Sequence, residues 1–168
     1  MSYDVDFSRI LDWQPDLVLS MTTLPEMAGT GAAHLGEDLA RNGIGWRHLP
    51  IVDFGAPGQG VVAAWPEVSA LAAGILSSGG GVLAHCYGGC GRSGMAVLRL
   101  MVEAGEDAQA ALLDPNDQTG SVDERAARLL EDANALYEDA QAALIRLRAV
   151  RPCAVETEAQ LAWASAPR

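Results

Sequence analysis

The chain has 168 residues, a net charge of −11 and no lysine; all 11 basic side chains are arginine. That length suits one domain with a real core, and 49% apolar with 20% charged residues fits a soluble globular protein rather than a disordered one. The acidic balance excludes a general binder of nucleic acid or of an acidic membrane, which needs a basic face, but leaves room for an arginine site that holds one phosphate.

The opening MSYDVDFSRILDWQPD carries early acids and no long apolar run, so it does not read as a signal peptide. No uninterrupted apolar stretch reaches the length of a membrane span. Residues 16–20, DLVLS, read as a short buried strand followed by a polar turn. GAAHLGEDLARNG has helical spacing, with Gly43 as its stop. WRHLPIVDF (46–54) reads as a strand running into the loop GAPGQG. The segment from Val61 to the glycine run at 79–81 reads as a helix that Pro66 either bends or opens. GVLAH (81–85) is a continuous apolar run, as in a strand buried on both faces. SGMAVLRLMVEAG (93–105) reads as a helix that Gly105 stops. Strands alternating with helices predict an α/β fold, a central, mostly parallel sheet flanked by helices.

Beyond Gly105 the heptapeptide EDAQAAL occurs at 106–112 and again at 138–144. We read an insertion at about 113–144 within a single domain spanning 1–168, carrying a partial duplication. Ser121 and Glu124 make a capping-box pattern. Val122, Ala126, Leu129, Ala133, Leu136, Ala140, Ala143, Leu147 and Val150 then recur in a heptad rhythm. A long inserted helix follows from this. It either lies on its own domain or forms the seam of a homodimer through 122–150. ETEAQLAWA (156–164) reads as a last short helix.

The chemistry concentrates in HCYGGCGRSG, residues 85–94. A glycine-rich loop between a buried strand and a helix start leaves backbone N–H groups without partners, and glycines let them curl into a nest for an anion. Gly88, Gly89 and Gly91 supply that freedom. Arg92 can grip two oxygens of a tetrahedral anion in a fork. The same donors favour the thiolate of Cys86 at the strand end, and a thiolate beneath a bound phosphate is a nucleophile aimed at phosphorus. Ser93 can donate to that sulfur. His85 orients the loop rather than acting as a base.

HCYGGCGRSG resembles the signature loop of the cysteine-dependent protein phosphatases: His, Cys, five residues, Arg, Ser. The spacing of LPIVDFGAPG before it is similar to the compact dual-specificity branch of that superfamily, and especially to the cyclin-dependent-kinase-associated type. The resemblance implies a dual-specificity-phosphatase-like fold. It also implies a phosphomonoester hydrolase that works through a cysteinyl-phosphate intermediate, with no cofactor and no metal. On this reading Cys86 is the nucleophile, Arg92 and Ser93 assist it, and Tyr87, Gly88, Gly89, Cys90, Gly91 and Arg92 line the phosphate. Asp53 becomes the general acid. Gln160, in a tail segment similar to the family's, either helps position water or is a surface residue. Arg148 and Arg151 are structural charge partners. Two other functions share such a loop: a phospho-residue binding module without turnover, and a rhodanese-type sulfurtransferase.

The expected partner is a phosphoprotein or small phosphate ester, not nucleic acid or membrane. Three cysteines without a secretory signal read as thiols in a reducing cytoplasm. Cys153 then has no role, and Cys90 either packs or forms a reversible disulfide with oxidised Cys86.

Overall fold

The computed structural model describes residues 2–110 and 140–166. Three short strands, β1 (Leu17–Ser20), β2 (Gly45–His48) and β3 (Val82–His85), form a parallel sheet in the order β2-β1-β3. The register aligns their carboxyl ends, with Ser20 opposite both His48 and His85. Everything that follows a strand therefore emerges at one edge of the sheet, the general location of sites in open α/β sheets.

The period-2 geometry of β1 divides the core in two. Leu17 and Leu19 face one side, where they join a cluster with Val61, Trp65, Val68 and Ala72 of helix α4 (Gln59–Ser77) and Met95, Leu98 and Val102 of helix α5 (Gly91–Ala110). Val18 faces the other side. It packs with Met27 of α2 (Leu24–Gly29), with Leu35 and Leu39 of α3 (Leu35–Arg41), and with Phe7 and Ile10 of α1 (Tyr3–Trp13). All four residues of β1 are buried.

Several expectations need correction. The strand predicted over 46–54 ends at His48, and residues 49–53 form a loop whose Leu49 and Ile51 amides bond to Ser20 and Met21 carbonyls. β3 is half-buried throughout rather than covered on both faces, because it pairs only with β1. Pro66 neither opens α4 nor ends it; the helix starts at Gln59 and runs through the proline. Gly105 does not stop α5, whose backbone stays helical to Ala110. By length and mean hydropathy of 1.4, α4 reaches membrane-spanning composition, although Gln59, Glu67 and Ser69 interrupt its apolar run, as the sequence reading has it. One face of it, however, is part of the protein core.

The heptad and the proposed insertion lie mostly outside the described residues. Residues 140–150 form helix α6, where Ala140, Ala143 and Leu144 are buried and Leu147 packs against the same cluster as α4 and α5. This end of the heptad therefore lies on its own domain, and only Val150 of the heptad residues here is exposed. The last helix, α7 (Glu158–Ala164), begins two residues later than read, with Thr157 as its cap: Thr157 Oγ1 accepts from the Gln160 amide at 3.2 Å.

Candidate active site

The segment 86–90 turns directly from the end of β3 into α5. Gly89 sits at φ +70°, a left-handed conformation that a side chain strains against. Arg151 fixes the turn from outside: its Nε donates to the Gly89 carbonyl at 2.8 Å and its Nη2 to the Gly88 carbonyl at 2.9 Å. Because C=O and N–H of one planar peptide unit point opposite ways, holding these carbonyls outward aims the next amides inward. The Gly89 amide accordingly donates to Cys86 Sγ at 3.2 Å. The Ser93 hydroxyl lies 3.3 Å from the same sulfur. Burial pushes the Cys86 thiol up, but hydrogen bonds from the Ser93 hydroxyl and from the amides of Ser93, Gly89 and Cys90 outweigh it and hold the thiol below its ordinary range. The arrangement stabilises a thiolate.

Arg92 is 1% exposed, and its charge is compensated from helix α2 and from the loop after β2. Its Nη1 and Nη2 each donate to one oxygen of Glu26, at 2.8 and 2.9 Å, and Nη1 also donates to the Ile51 carbonyl at 2.9 Å. Nη2 lies 3.0 Å from Asp53 Oδ1. Its Nε has no hydrogen-bond partner among the described residues, so the guanidinium keeps a donor in reserve. Glu26 is pulled down to about 2, chiefly by the Arg92 bond, with further bonds from the Thr23 amide and hydroxyl.

Glu26 was missed in the sequence. The signal was present: Thr23-Leu-Pro-Glu26 is a capping-box pattern with proline in the first turn. It marks a helix start and contains nothing that points across 66 positions to Arg92.

The structure brings together Cys86, Ser93, Arg92 and Asp53, with Asp53 on an exposed loop next to Phe54 at φ +57°. Gln160 is fully buried rather than on the surface. Its Oε1 accepts from the Glu156 amide at 2.9 Å and its Nε2 donates to the Gly55 carbonyl at 3.3 Å, tying the tail to the Asp53 loop. His85 meets Ser20 at 2.6 Å through Nε2, while Trp46 donates to the same hydroxyl at 2.8 Å. Burial keeps this imidazole below its ordinary value, hence neutral, as an orienting residue requires. Arg148, like Arg151, serves main-chain carbonyls, those of Ala154 and Val155, rather than carboxylates.

The cysteine reading is overturned. Cys90 and Cys153 form a disulfide with Cα atoms 5.2 Å apart, leaving Cys86 as the free thiol. Cys90 is thus neither a plain packing residue nor available to Cys86, and Cys153 is not idle. Nothing in a spacing of 63 residues announces such a pair.

A parallel sheet that delivers a thiol, a buried arginine and an acidic loop to one edge is the layout of a cysteine-dependent protein phosphatase of the compact dual-specificity kind. Residues 18–106 match the family model described as Tc-R-P, polymorphic toxin system, DSP-PTPase phosphatase. The chain belongs to this family. Among solved structures it is similar to Tk-PTP in its active form, at 22% identity and a TM-score of 0.63, covering 96% of this chain and 82% of that one. It is also similar to kinase associated phosphatase with serine in place of the catalytic-site cysteine, at 20% identity and a TM-score of 0.66, covering 95% of this chain and 71% of that one. No curated protein sequence matches it.

Proposed function

We propose that the protein hydrolyses phosphate monoesters through a cysteinyl-phosphate intermediate on Cys86. The observation that carries this reading is the set of inward donors on Cys86 Sγ beside a buried Arg92 whose Nε is free. The phosphate enters where Asp53 now rests against Arg92, displacing that carboxylate and taking up the spare Nε and the loop amides. Cys86 thiolate attacks phosphorus, an S–P bond forms, the P–O bond to the leaving group breaks, and Asp53, having taken a proton from solvent once displaced from Arg92, gives it to the departing oxygen. Water then attacks phosphorus, Asp53 takes a proton from it, and the S–P bond breaks, releasing phosphate and the thiolate. The Ser93 hydroxyl stabilises sulfur as it leaves. Gln160 acts on this step by holding the Gly55 end of the Asp53 loop rather than by exposure to water.

Substrates are phosphoproteins or phosphate esters, and the acidic surface disfavours polyanionic ones. We place the action in the cytoplasm, where phosphoproteins abound; the Cys90–Cys153 bridge favours the alternative of an oxidising compartment. A side-by-side assay with p-nitrophenyl phosphate and with thiosulfate plus cyanide tests the reaction class. Phosphate release, abolished in Cys86→Ser and accompanied by a trappable phosphoenzyme in the wild type, supports it. Full turnover in Cys86→Ser, or sulfur transfer in place of phosphate release, rejects it.

A further inference from the structure

The carboxyl ends of the three strands gather a row of polar side chains at the edge where the loop begins. Ser20 of β1 stands in register with His48 of β2 on one side and His85 of β3 on the other. By the period of two, these three share the sheet face of Val18, Trp46 and Leu83, which pack with α2 and α3. Trp46 is firmly seated there. Its ring stacks on His48 with centroids 5.4 Å apart and an angle of 10°. Gly36 of α3 leaves the space that the indole fills, since a Cβ at that position would collide with it. His48 is held in turn through Nε2, which donates to the Thr22 carbonyl at 2.8 Å.

The hydrogen bonds along this row run in one direction. Trp46 Nε1–H can only donate, and it does so to the Ser20 hydroxyl at 2.8 Å. Ser20 is fully buried, and among the described residues its oxygen has one other partner, His85 Nε2 at 2.6 Å. The hydroxyl proton therefore goes to Nε2, which is the unprotonated nitrogen of a neutral ring. The ring proton is left on Nδ1, the nitrogen nearer its own main chain. The imidazole also meets the Cys86 main chain in a bond that favours a proton on the ring, which identifies the carbonyl as the acceptor. An Nδ1–H on that carbonyl turns the Tyr87 amide of the same planar peptide unit the opposite way. Arg151 does the same for the units that begin at Gly88 and Gly89.

We propose that Ser20 and Trp46 are positioning residues for the Cys86 thiolate: from two other strands, they fix His85 as the Nδ1–H tautomer that anchors the first carbonyl of the loop. Both act through His85 rather than on the substrate. The proposal rests on the reading of Cys86 as the nucleophile.

The test uses Ser20→Ala, which removes the link, and Trp46→Phe, which keeps an aromatic ring and removes the Nε1–H. Neither alters a charge. The charged groups at Cys86 are Arg92 of α5, with Glu26 of α2 and Asp53 of the loop after β2 bound to it, and the titratable neighbour of His85 is His48. Nitrogen NMR of the imidazoles at pH 7 is expected to show His85 as the Nδ1–H tautomer in the wild type. In Trp46→Phe, where the Ser20 oxygen is free to accept from Nε2, it should show a mixture. Alkylation of Cys86, the free thiol, reads the second effect. Below the midpoint pH its rate should fall about two- to tenfold in Ser20→Ala and about two- to threefold in Trp46→Phe, the range of one neutral hydrogen bond. The midpoint and the acid limb of kcat/KM should move to higher pH together. Leu39→Ala loosens the same face of the core and should lower the melting temperature without moving the midpoint. An equal shift in Leu39→Ala, or an unchanged tautomer and midpoint in both row variants, overturns the proposal. If Ser20→Ala fails to fold, Trp46→Phe decides by the same two readouts. Alkylation needs no turnover, so the two readings fail separately. A shifted midpoint without phosphate release keeps the positioning role and rejects the hydrolysis; Cys86-dependent release with an unshifted midpoint does the reverse.

Discussion

Arg92 depends on a residue from the first turn of helix α2. Glu26 holds both terminal nitrogens of a guanidinium that is almost fully buried, and a buried charge deprived of its partner is costly. Glu26→Gln offers one acceptor where there were two, so kcat/KM should fall at least ~10-fold, since charged bidentate pairs are the strong ones; steady-state kinetics reads this directly. Glu26 also couples stability to pH. Its folded value is depressed from 4.5 to about 2, so its stabilising contribution is complete above 4.5 and disappears as pH falls towards 2. Denaturant unfolding between those limits should show the loss in the wild type and a smaller one in Glu26→Gln. At Cys86 the sign is set by bonds that favour the charged form. Ser93→Ala removes the largest of them, so the thiol value rises and alkylation by iodoacetamide should set in at higher pH than in the wild type. With Cys90 and Cys153 bridged, Cys86 is the one thiol the reagent meets.

Between elements, the loop after β3 is braced by the segment between α6 and α7. The Cys90–Cys153 bridge, the Arg151 bonds to Gly88 and Gly89, and the Val155 amide on the Cys90 carbonyl all cross the same short gap. Cys153→Ser opens a loop of 63 residues, for which chain entropy gives about 4 kcal/mol of lost stability; urea unfolding with and without reductant measures it, and the two treatments of the wild type should differ by a similar amount. Gly94 permits this close packing. A Cβ there would lie 2.9 Å from the Val155 nitrogen and 3.0 Å from the Ala154 Cα, both main chain. Gly94→Ala should therefore cost about 1–3 kcal/mol, in the range of overpacking, with activity falling alongside because the brace shifts away from the loop.

For the molecule as a whole, a net charge of −11 opposes the approach of a phosphate dianion. Screening relieves that opposition, so kcat/KM for an aryl phosphate should rise about twofold as chloride salt brings ionic strength up to ~0.15 M. A fall over the same range would mean that the local field of Arg92 outweighs the global charge.

The α/β class, the order of strand and helix around the loop, and the grouping of Cys86, Arg92 and Ser93 were all legible in the chain. Each rests on neighbours in sequence, where periodicity and glycine placement carry the information. The length of β2, the half-buried state of β3, the bond from Glu26 to Arg92, the burial of Gln160 and the pairing of Cys90 with Cys153 were decided only on folding. These depend on contacts between segments 28 to 105 positions apart, from Leu17 opposite Gly45 to Gln160 on Gly55. The parallel register of the sheet collects such segments at one edge, and no local pattern records which of them will meet. The sequence by itself thus determined where Cys86, Ser93 and Arg92 gather. The tertiary structure decided what compensates Arg92 and what braces the loop, because buried charge and disulfide are properties of packed segments, not of any one stretch.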